Sequence, residues 1–233
     1  MNENNILVID DEKEIAELIE IYLTNENYRV FKAASGKEGL DILKMHKIHL
    51  VILDIMMPGI DGLETCRMIR QTMQVPIIML SAKSQDMDKI LGLGIGADDY
   101  MTKPFNPMEL IARVKSQLRR YLQLNGQERA KHDDQMIQIK DIVIYKKSHR
   151  VTLFDNEVNL TPTEYEILLL LAENSGTVFS TEEIFEKVWK EKYYEANNTV
   201  MVHIWRLREK IEKNPKEPKI IETVWGVGYK IED

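Results

Sequence analysis

VILDIMMPGIDG, residues 51–62, opens on an apolar run that continues from Leu50 and delivers a single carboxylate, Asp54, to the point where a strand would end. Leu50-Val51-Ile52-Leu53 is too short and too uniformly apolar for a surface helix. It predicts a central strand of a parallel sheet covered on both faces. Asp54 then sits at the carboxyl edge, which is where ligands bind in open α/β sheets. The plainer alternative is an Asp that caps the following loop.

Outward from this stretch, strand signals at 6–9, 28–33, 50–53, 76–80 and 99–101 alternate with helix periodicity at 13–25, 36–45, 62–71, 86–93 and 107–121. A fivefold βα alternation predicts a parallel sheet with helices on both faces and right-handed crossovers. The strand ends carry polar residues of particular kinds: Asp10 and Asp11 after the first, Asp54 after the third, Ser81 after the fourth, Lys103 just past the fifth. Such ends converge in space. Three carboxylates brought together repel one another, and an oxygen-rich acid cluster of this kind suits a hard divalent cation such as Mg2+.

Asp54, screened by a metal and with Lys103 nearby, is equipped to attack a phosphoryl group in line, with Ser81 as a hydrogen-bond donor to it. For Ser81 the alternative is a simple cap of the next helix. A phosphohydrolase of the haloacid-dehalogenase type needs a second acid two residues after the nucleophile, and that position is Met56. Residues 92–97, GLGIGA, are not a dinucleotide fingerprint, because they close a helix and lead into a strand; Gly94 and Gly96 are expected to end that helix.

The chain has 233 residues, enough for two domains of unequal kind, and its 44% hydrophobic content supports a core without staples. A single cysteine, Cys66, excludes an internal disulfide framework and is expected to pack as a small hydrophobe. With no signal peptide or membrane-spanning apolar run, the expected location is the reducing cytoplasm, with no membrane partner. A net charge of −7 argues against a protein that coats nucleic acid indiscriminately. Residues 1–122 form the first expected domain, 123–134 a polar linker without apolar periodicity, and 135–233 a second domain.

The second domain has a different grammar. Short alternating runs at 136–139, 142–145 and 150–154, with a turn at 155–156, predict a small antiparallel sheet. Thr161-Pro162-Thr163-Glu164 opens a helix, Ser180 and Glu183 have capping-box spacing at the start of another, and a third begins after 195–198. In the third helix Val200, Ile204, Leu207 and Ile211 form the buried stripe. Asn198, Val202, Trp205, Arg206 and Glu209 are then expected on the outward face, with Thr199, His203 and Arg208 at its borders. Residues 203–219 hold six Lys and Arg against three acids, a local basic excess suited to a major groove. Strands flanking Trp225-Gly226 complete a winged helix-turn-helix.

LVIDD, LDIMMPGIDG, SAK and TKPF, in that order and spacing, resemble the receiver domain of bacterial response regulators over residues 5–122. LTPTEYEIL, FSTEEIFEKVW, NNTVMVHIWRLREKI and TVWGVGYKI resemble the effector domain of the OmpR/PhoB family over 135–233. The likeness extends to VanR-type regulators of glycopeptide resistance through ADDYMTKPF, LIARVKSQLRRY and TVWGVGYKI. The resemblance implies a flavodoxin-like receiver with Asp54 as phosphoacceptor. It implies Mg2+ on Asp11, Asp54 and the Met56 carbonyl, with Asp10 assisting through water. It also implies Lys103, before a cis Pro104, on the phosphoryl, and Ser81 and Tyr100 as the switch pair. Across a twofold receiver dimer it pairs Lys89 with Glu109, Asp99 with Arg113 and Asp98 with Arg120.

In the effector domain, Arg206 is the residue expected to read a base, since Arg to guanine is the commonest specific contact. Thr199, His203 and Arg208 are expected on phosphates, and Trp225 and Tyr229 of the wing are further DNA contacts. Trp205 and Trp225 depart from the cations that family members often carry. The implied protein is a regulator and not an enzyme. A sensor histidine kinase phosphorylates it, it dimerises on phosphorylation, it binds direct-repeat promoter DNA beside RNA polymerase, and its regulon is cell-wall or glycopeptide-resistance genes. The alternatives are an Mg2+-dependent phosphotransferase or phosphatase acting on a small substrate, and a DNA-binding regulator that works without phosphorylation.

Overall fold

The structure, a computed structural model, describes residues 4–82, 92, 94–125, 135–190 and 199–232. The chain divides into two compact units, Met1–Tyr121 and Leu122–Asp233. No helix among the described residues is long and apolar enough to cross a membrane.

The first unit is a five-stranded parallel sheet in the order β2-β1-β3-β4-β5. Its strands are β1 (Asn5–Ile9), β2 (Arg29–Ala33), β3 (Leu50–Asp54), β4 (Ile77–Ser81) and β5 (Asp99–Thr102). Helices α1 (Lys13–Asn25), α2 (Gly36–Met45), α3 (Gly62–Arg70) and α4 (Pro107–Asn125) join or follow them. The uninterrupted apolar runs of β3 and β4 are buried throughout, as strands covered on both faces must be. The strand order reverses between β1 and β3, whose register sets Ile9 beside Leu53. That switch point places the chain just after β1 against the end of β3, the crevice in which such folds bind ligands.

The helix expected over 86–93 lies outside the described residues except for Gly92, which is helical. Gly94, expected to end that helix, is still inside it; the break falls at Gly96, where φ is +134° and a side chain would be strained. Helix α4 continues to Asn125, into the stretch expected to be linker, and 126–134 lie outside the described residues.

The second unit begins with a four-stranded antiparallel sheet, β6 (Met136–Ile139), β7 (Ile142–Tyr145), β8 (Arg150–Leu153) and β9 (Asn156–Glu157). The β8–β9 turn is Phe154-Asp155, one residue earlier than expected, and both carry positive φ, the conformation a tight hairpin requires. Helices α5 (Pro162–Glu173), α6 (Thr181–Trp189) and α7 (Thr199–Ile211) follow, then the hairpin β10 (Ile221–Val224) and β11 (Gly228–Ile231). Thr161 and Ser180 both open their helices with complete capping boxes, closed by Glu164 and Glu183. Val200, Ile204, Leu207 and Ile211 enter the core with Leu168, Phe185 and Trp189, as the helical spacing predicts.

The β10–β11 hairpin meets the body most closely at Phe179. Phe179 and Tyr229 exchange two backbone hydrogen bonds of 2.9 Å, and a Cβ on Gly228 would lie 1.9 Å from the Phe179 carbonyl oxygen. Gly228→Ala must therefore push the hairpin away. We expect a loss of about 1–3 kcal/mol in thermal unfolding; an unchanged transition would show that the hairpin can shift without cost.

Candidate functional site

Asp10 and Asp11 follow β1, Asp54 ends β3, and one oxygen from each of the three lies within 4.8 Å of the others. Asp10 and Asp54 are buried and Asp11 is exposed. The approach is enforced by the backbone: Ile55 N–H donates to Leu80 O at 3.0 Å, and Gly62 N–H returns to Ile55 O at 3.0 Å. A Cβ on Gly62 would meet the Asp54 carbonyl oxygen at 2.0 Å, so this close return needs glycine.

Lys103, whose peptide bond to Pro104 is cis, supplies the counter-charge. Its Nζ lies 2.9 Å from Asp10 Oδ2, 3.3 Å from Asp54 Oδ1 and 3.0 Å from Glu12 Oε1. Burial pushes the Asp54 and Asp10 carboxyls above the usual carboxylate range, and Lys103 only partly opposes it. Burial also works against the Lys103 ammonium. Its ion pair with Asp10, its hydrogen bond to Glu12 and the charge of Asp54 nonetheless hold its pKa above the ordinary lysine value. Asp10 Oδ2 and Asp54 Oδ1 are buried and find no well-directed hydrogen bond, so one ammonium does not satisfy the cluster. An additional cation fits these donors: hard carboxylate oxygens, two buried and one open to solvent.

Ser81 ends β4 in register with Thr102, beside the strand that carries Asp54, and is buried. Tyr100 on β5 is also buried, its ring inside rather than in solvent. Met56, two residues past Asp54, has an exposed side chain. Glu12 was not anticipated as a partner of Lys103, although it follows the Asp pair directly in sequence.

The charges expected to pair between two copies are largely engaged within this one. Asp98, expected to pair with Arg120 across a dimer, is fully buried within this copy, where it binds Arg70 Nη2 at 2.7 Å and accepts from the Ile77 N–H at 3.0 Å. Arg120 is buried as well. Asp99 is clamped by Arg113 Nη1 at 2.9 Å to both oxygens, and Arg113 Nη2 reaches Glu109 at 2.8 Å. Lys89 lies outside the described residues.

In the second unit, the face that α7 exposes differs from the expected one. Arg206, expected outward to read a base, is only 6% exposed and its Nη2 sits 2.8 Å from Glu164 Oε1. Val202 is buried, and so are Thr199 and His203, whose ring lies 5.5 Å from that of Trp189. Arg208 donates to Ile221 O and to Thr223 Oγ1, at 2.6 and 2.8 Å from Nη2, fastening α7 to β10. Tyr229, expected on DNA, is buried under the hairpin, and Asn198 lies outside the described residues. The exposed side chains of α7 are Met201, Trp205 and Glu209, and Trp225 at the hairpin tip is 90% exposed. For Arg206 the physical reason is Glu164: a buried carboxylate at the start of α5 draws Arg206, and at the edge Lys210, toward it, so the buried face of α7 is wider than the four-residue stripe. The sequence marked residues 161–164 as the opening of a helix, but nothing in it marked Glu164 as a buried charge or pointed to its partners.

Residues 6–115 match the response regulator receiver domain family, and residues 155–231 match the family of transcriptional regulatory protein C-terminal domains. Regulatory protein VanR of Enterococcus faecium is 50% identical over 230 residues, covering 98% of this chain and 99% of that protein. Regulatory protein VanRc of Enterococcus gallinarum is 50% identical over 228 residues, covering 97% and 98%. Among solved structures, the response regulator DrrB, a Thermotoga maritima OmpR/PhoB homolog, is 35% identical with a TM-score of 0.51, covering 99% of this chain and all of that one.

Proposed function

Since the chain belongs to the OmpR/PhoB family of two-component response regulators, we propose that Asp54 is the point at which a sensor histidine kinase writes its signal. The protein is a phosphorylation-activated transcriptional regulator. The observation that carries the proposal is the Asp10, Asp11, Asp54 cluster gripped by Lys103 at a strand-order switch point.

In the proposed step an Asp54 Oδ attacks phosphorus as the bond from phosphorus to the kinase histidine nitrogen breaks. The nitrogen keeps the bonding electrons and Asp54 becomes an acyl phosphate. Asp11, Asp54 and the Met56 carbonyl would hold Mg2+, with Asp10 behind them. When bound, Mg2+ offsets charge on the transferred oxygens. Lys103, released from Asp54, bonds a phosphoryl oxygen, and the Ser81 hydroxyl donates to another. Movement of Ser81 leaves room for Tyr100 to settle further inward, which biases the face formed by β5 and α4. The event is regulatory and acts on no separate small substrate.

Two activated receivers pair through that face, and two effector units then bind promoter half-sites as direct repeats, at high effective concentration and beside RNA polymerase. The setting is the cytoplasm, and the VanR-type likeness points to a cell-wall regulon. Duplexes selected from random DNA by the full-length protein should bind about 10- to 100-fold tighter after treatment with acetyl phosphate and Mg2+. Sedimentation should show monomer moving to dimer under the same treatment. Arg113→Glu, which sets a third acid against Asp99 and Glu109, should block that shift while Asp54 is still labelled. Equal affinity with and without the phosphodonor would favour a regulator that does not use phosphorylation.

A further inference from the structure

We propose that α7 reads thymine methyl groups through Met201 and Trp205, so that operator choice rests on apolar contact in the major groove and not on arginine–guanine pairs. This rests on the reading of the second unit as a DNA-binding winged helix and specifies what that helix recognises.

Met201 is 52% exposed and Trp205 49% exposed, one helical turn apart on the same face. The arginines of α7 are engaged elsewhere: Arg206 is held by Glu164, and Arg208 by Ile221 and Thr223 of the hairpin. Lys210, the helix's other cation, is also bound to Glu164, at 2.6 Å. A helix that enters a groove with its guanidinium groups fastened to its own domain cannot use the bidentate guanine contact. It presents a thioether and an indole instead.

Large apolar side chains exposed side by side are unfavourable in water and mark a surface that meets an apolar partner. In the major groove the apolar group is the thymine C5-methyl. The positions fit neighbouring base steps, because four residues of helix rise roughly 6 Å and two base-pair steps span about the same distance.

Glu209 lies one turn further along the exposed face. Its carboxylate is repelled by phosphates and accepts from cytosine N4, so it favours turning this face toward the base edges. Cations suited to the backbone lie beyond the helix, where Lys213, Lys216 and Lys219 are exposed. At the hairpin tip Trp225 and Val227 are also exposed, so the two elements that would straddle the groove wall share an apolar character.

The test replaces thymine by deoxyuridine, which removes one methyl group and leaves base pairing unchanged. Full-length protein first selects duplexes from random DNA, and each thymine of a selected half-site is then replaced singly. At one or two positions uracil should weaken binding about fourfold each, the value of one buried methyl group. At the remaining positions it should have no effect. Met201→Ala and Trp205→Ala should each erase discrimination at one position, with thermal unfolding lowered only slightly because about half of each side chain is exposed. Trp205→Arg should shift selection toward guanine there. Uracil duplexes bound as tightly as thymine duplexes at every position would overturn the inference while leaving DNA binding intact, and would assign the face to a protein contact. Discrimination that survives both alanine variants would overturn it by placing the methyl reader elsewhere. Failure to select any duplex would remove the DNA-binding reading on which it stands.

Discussion

Asp54→Asn abolishes Mg2+-dependent labelling by acetyl phosphate, with at least about a 100-fold loss of incorporated phosphoryl, because the amide oxygen carries no charge and is not a nucleophile. The substitution preserves shape, so the strand end and the Gly62 return are undisturbed. Lys103 keeps Asp10 and Glu12 as partners, so its ammonium is not stranded. Burial already holds the Asp54 carboxyl above its usual range, beside Asp10 and Asp11, so the ionised residue strains the metal-free fold. In EDTA at neutral pH the variant should consequently melt no lower than the parent. Loss of labelling with unfolding would leave the assignment open to a trivial cause; loss of labelling with unchanged melting would not. Full labelling of the variant would move the acceptor to another acid.

Glu164→Ala is expected to cost the second unit about 3–5 kcal/mol, the range for removing one partner of a buried ion pair. Glu164 is fully buried, and its oxygens meet Arg206 at 2.8 Å, Lys210 at 2.6 Å and the Thr161 N–H at 2.8 Å. Removing the carboxylate takes an opposite charge away from a guanidinium that is itself nearly buried and opens the capping box of α5. For a domain of this size such a loss lowers the melting temperature by roughly 12–30 °C, seen as a separated transition in calorimetry. The double variant Glu164→Gln with Arg206→Met should recover part of the loss, since both charges then vanish together. Burial works against the ionised Glu164. The charges of Arg206 and Lys210 outweigh it, however, and hold the carboxyl below the usual range. Its folded pKa is depressed. The contribution is therefore present above the ordinary glutamate range and is lost as pH falls through that range toward the depressed value. Glu164→Gln should flatten this part of the acid limb. Arg206→Ala, which would relax one operator position if the residue read a base, should instead destabilise.

The receiver sheet was legible because its central strands are unbroken apolar runs, and 50–53 could not be confused with an amphipathic helix. The acid cluster was equally legible, because topology brings the ends of β1 and β3 together whatever the side chains do. Glu12 was not, since only geometry shows which acids share the Lys103 ammonium. The effector helices announced themselves through periodicity and capping spacing. The orientation of α7 was only partly legible, because a projection opposite a four-residue apolar stripe underestimates how wide the buried face is and sends Val202 and Arg206 outward. Glu164 reverses that placement for Arg206 by offering a buried charge 42 positions earlier in the chain. Trp205 and Glu209 are exposed as the projection expects, while Met201, which the projection left unassigned, joins them on the surface.

That inward draw of Arg206 has a consequence for how binding responds to salt. Each phosphate-neutralising lysine or arginine makes a complex more sensitive to salt, because binding releases counterions that a saltier solution returns. Glu164 carries one negative charge and the nearly buried Arg206 is the partner at its Oε1, so Arg206 adds little to that sensitivity. The salt dependence of promoter binding should then report chiefly on the exposed Lys213, Lys216 and Lys219, and each lysine replaced by Gln should make the slope shallower.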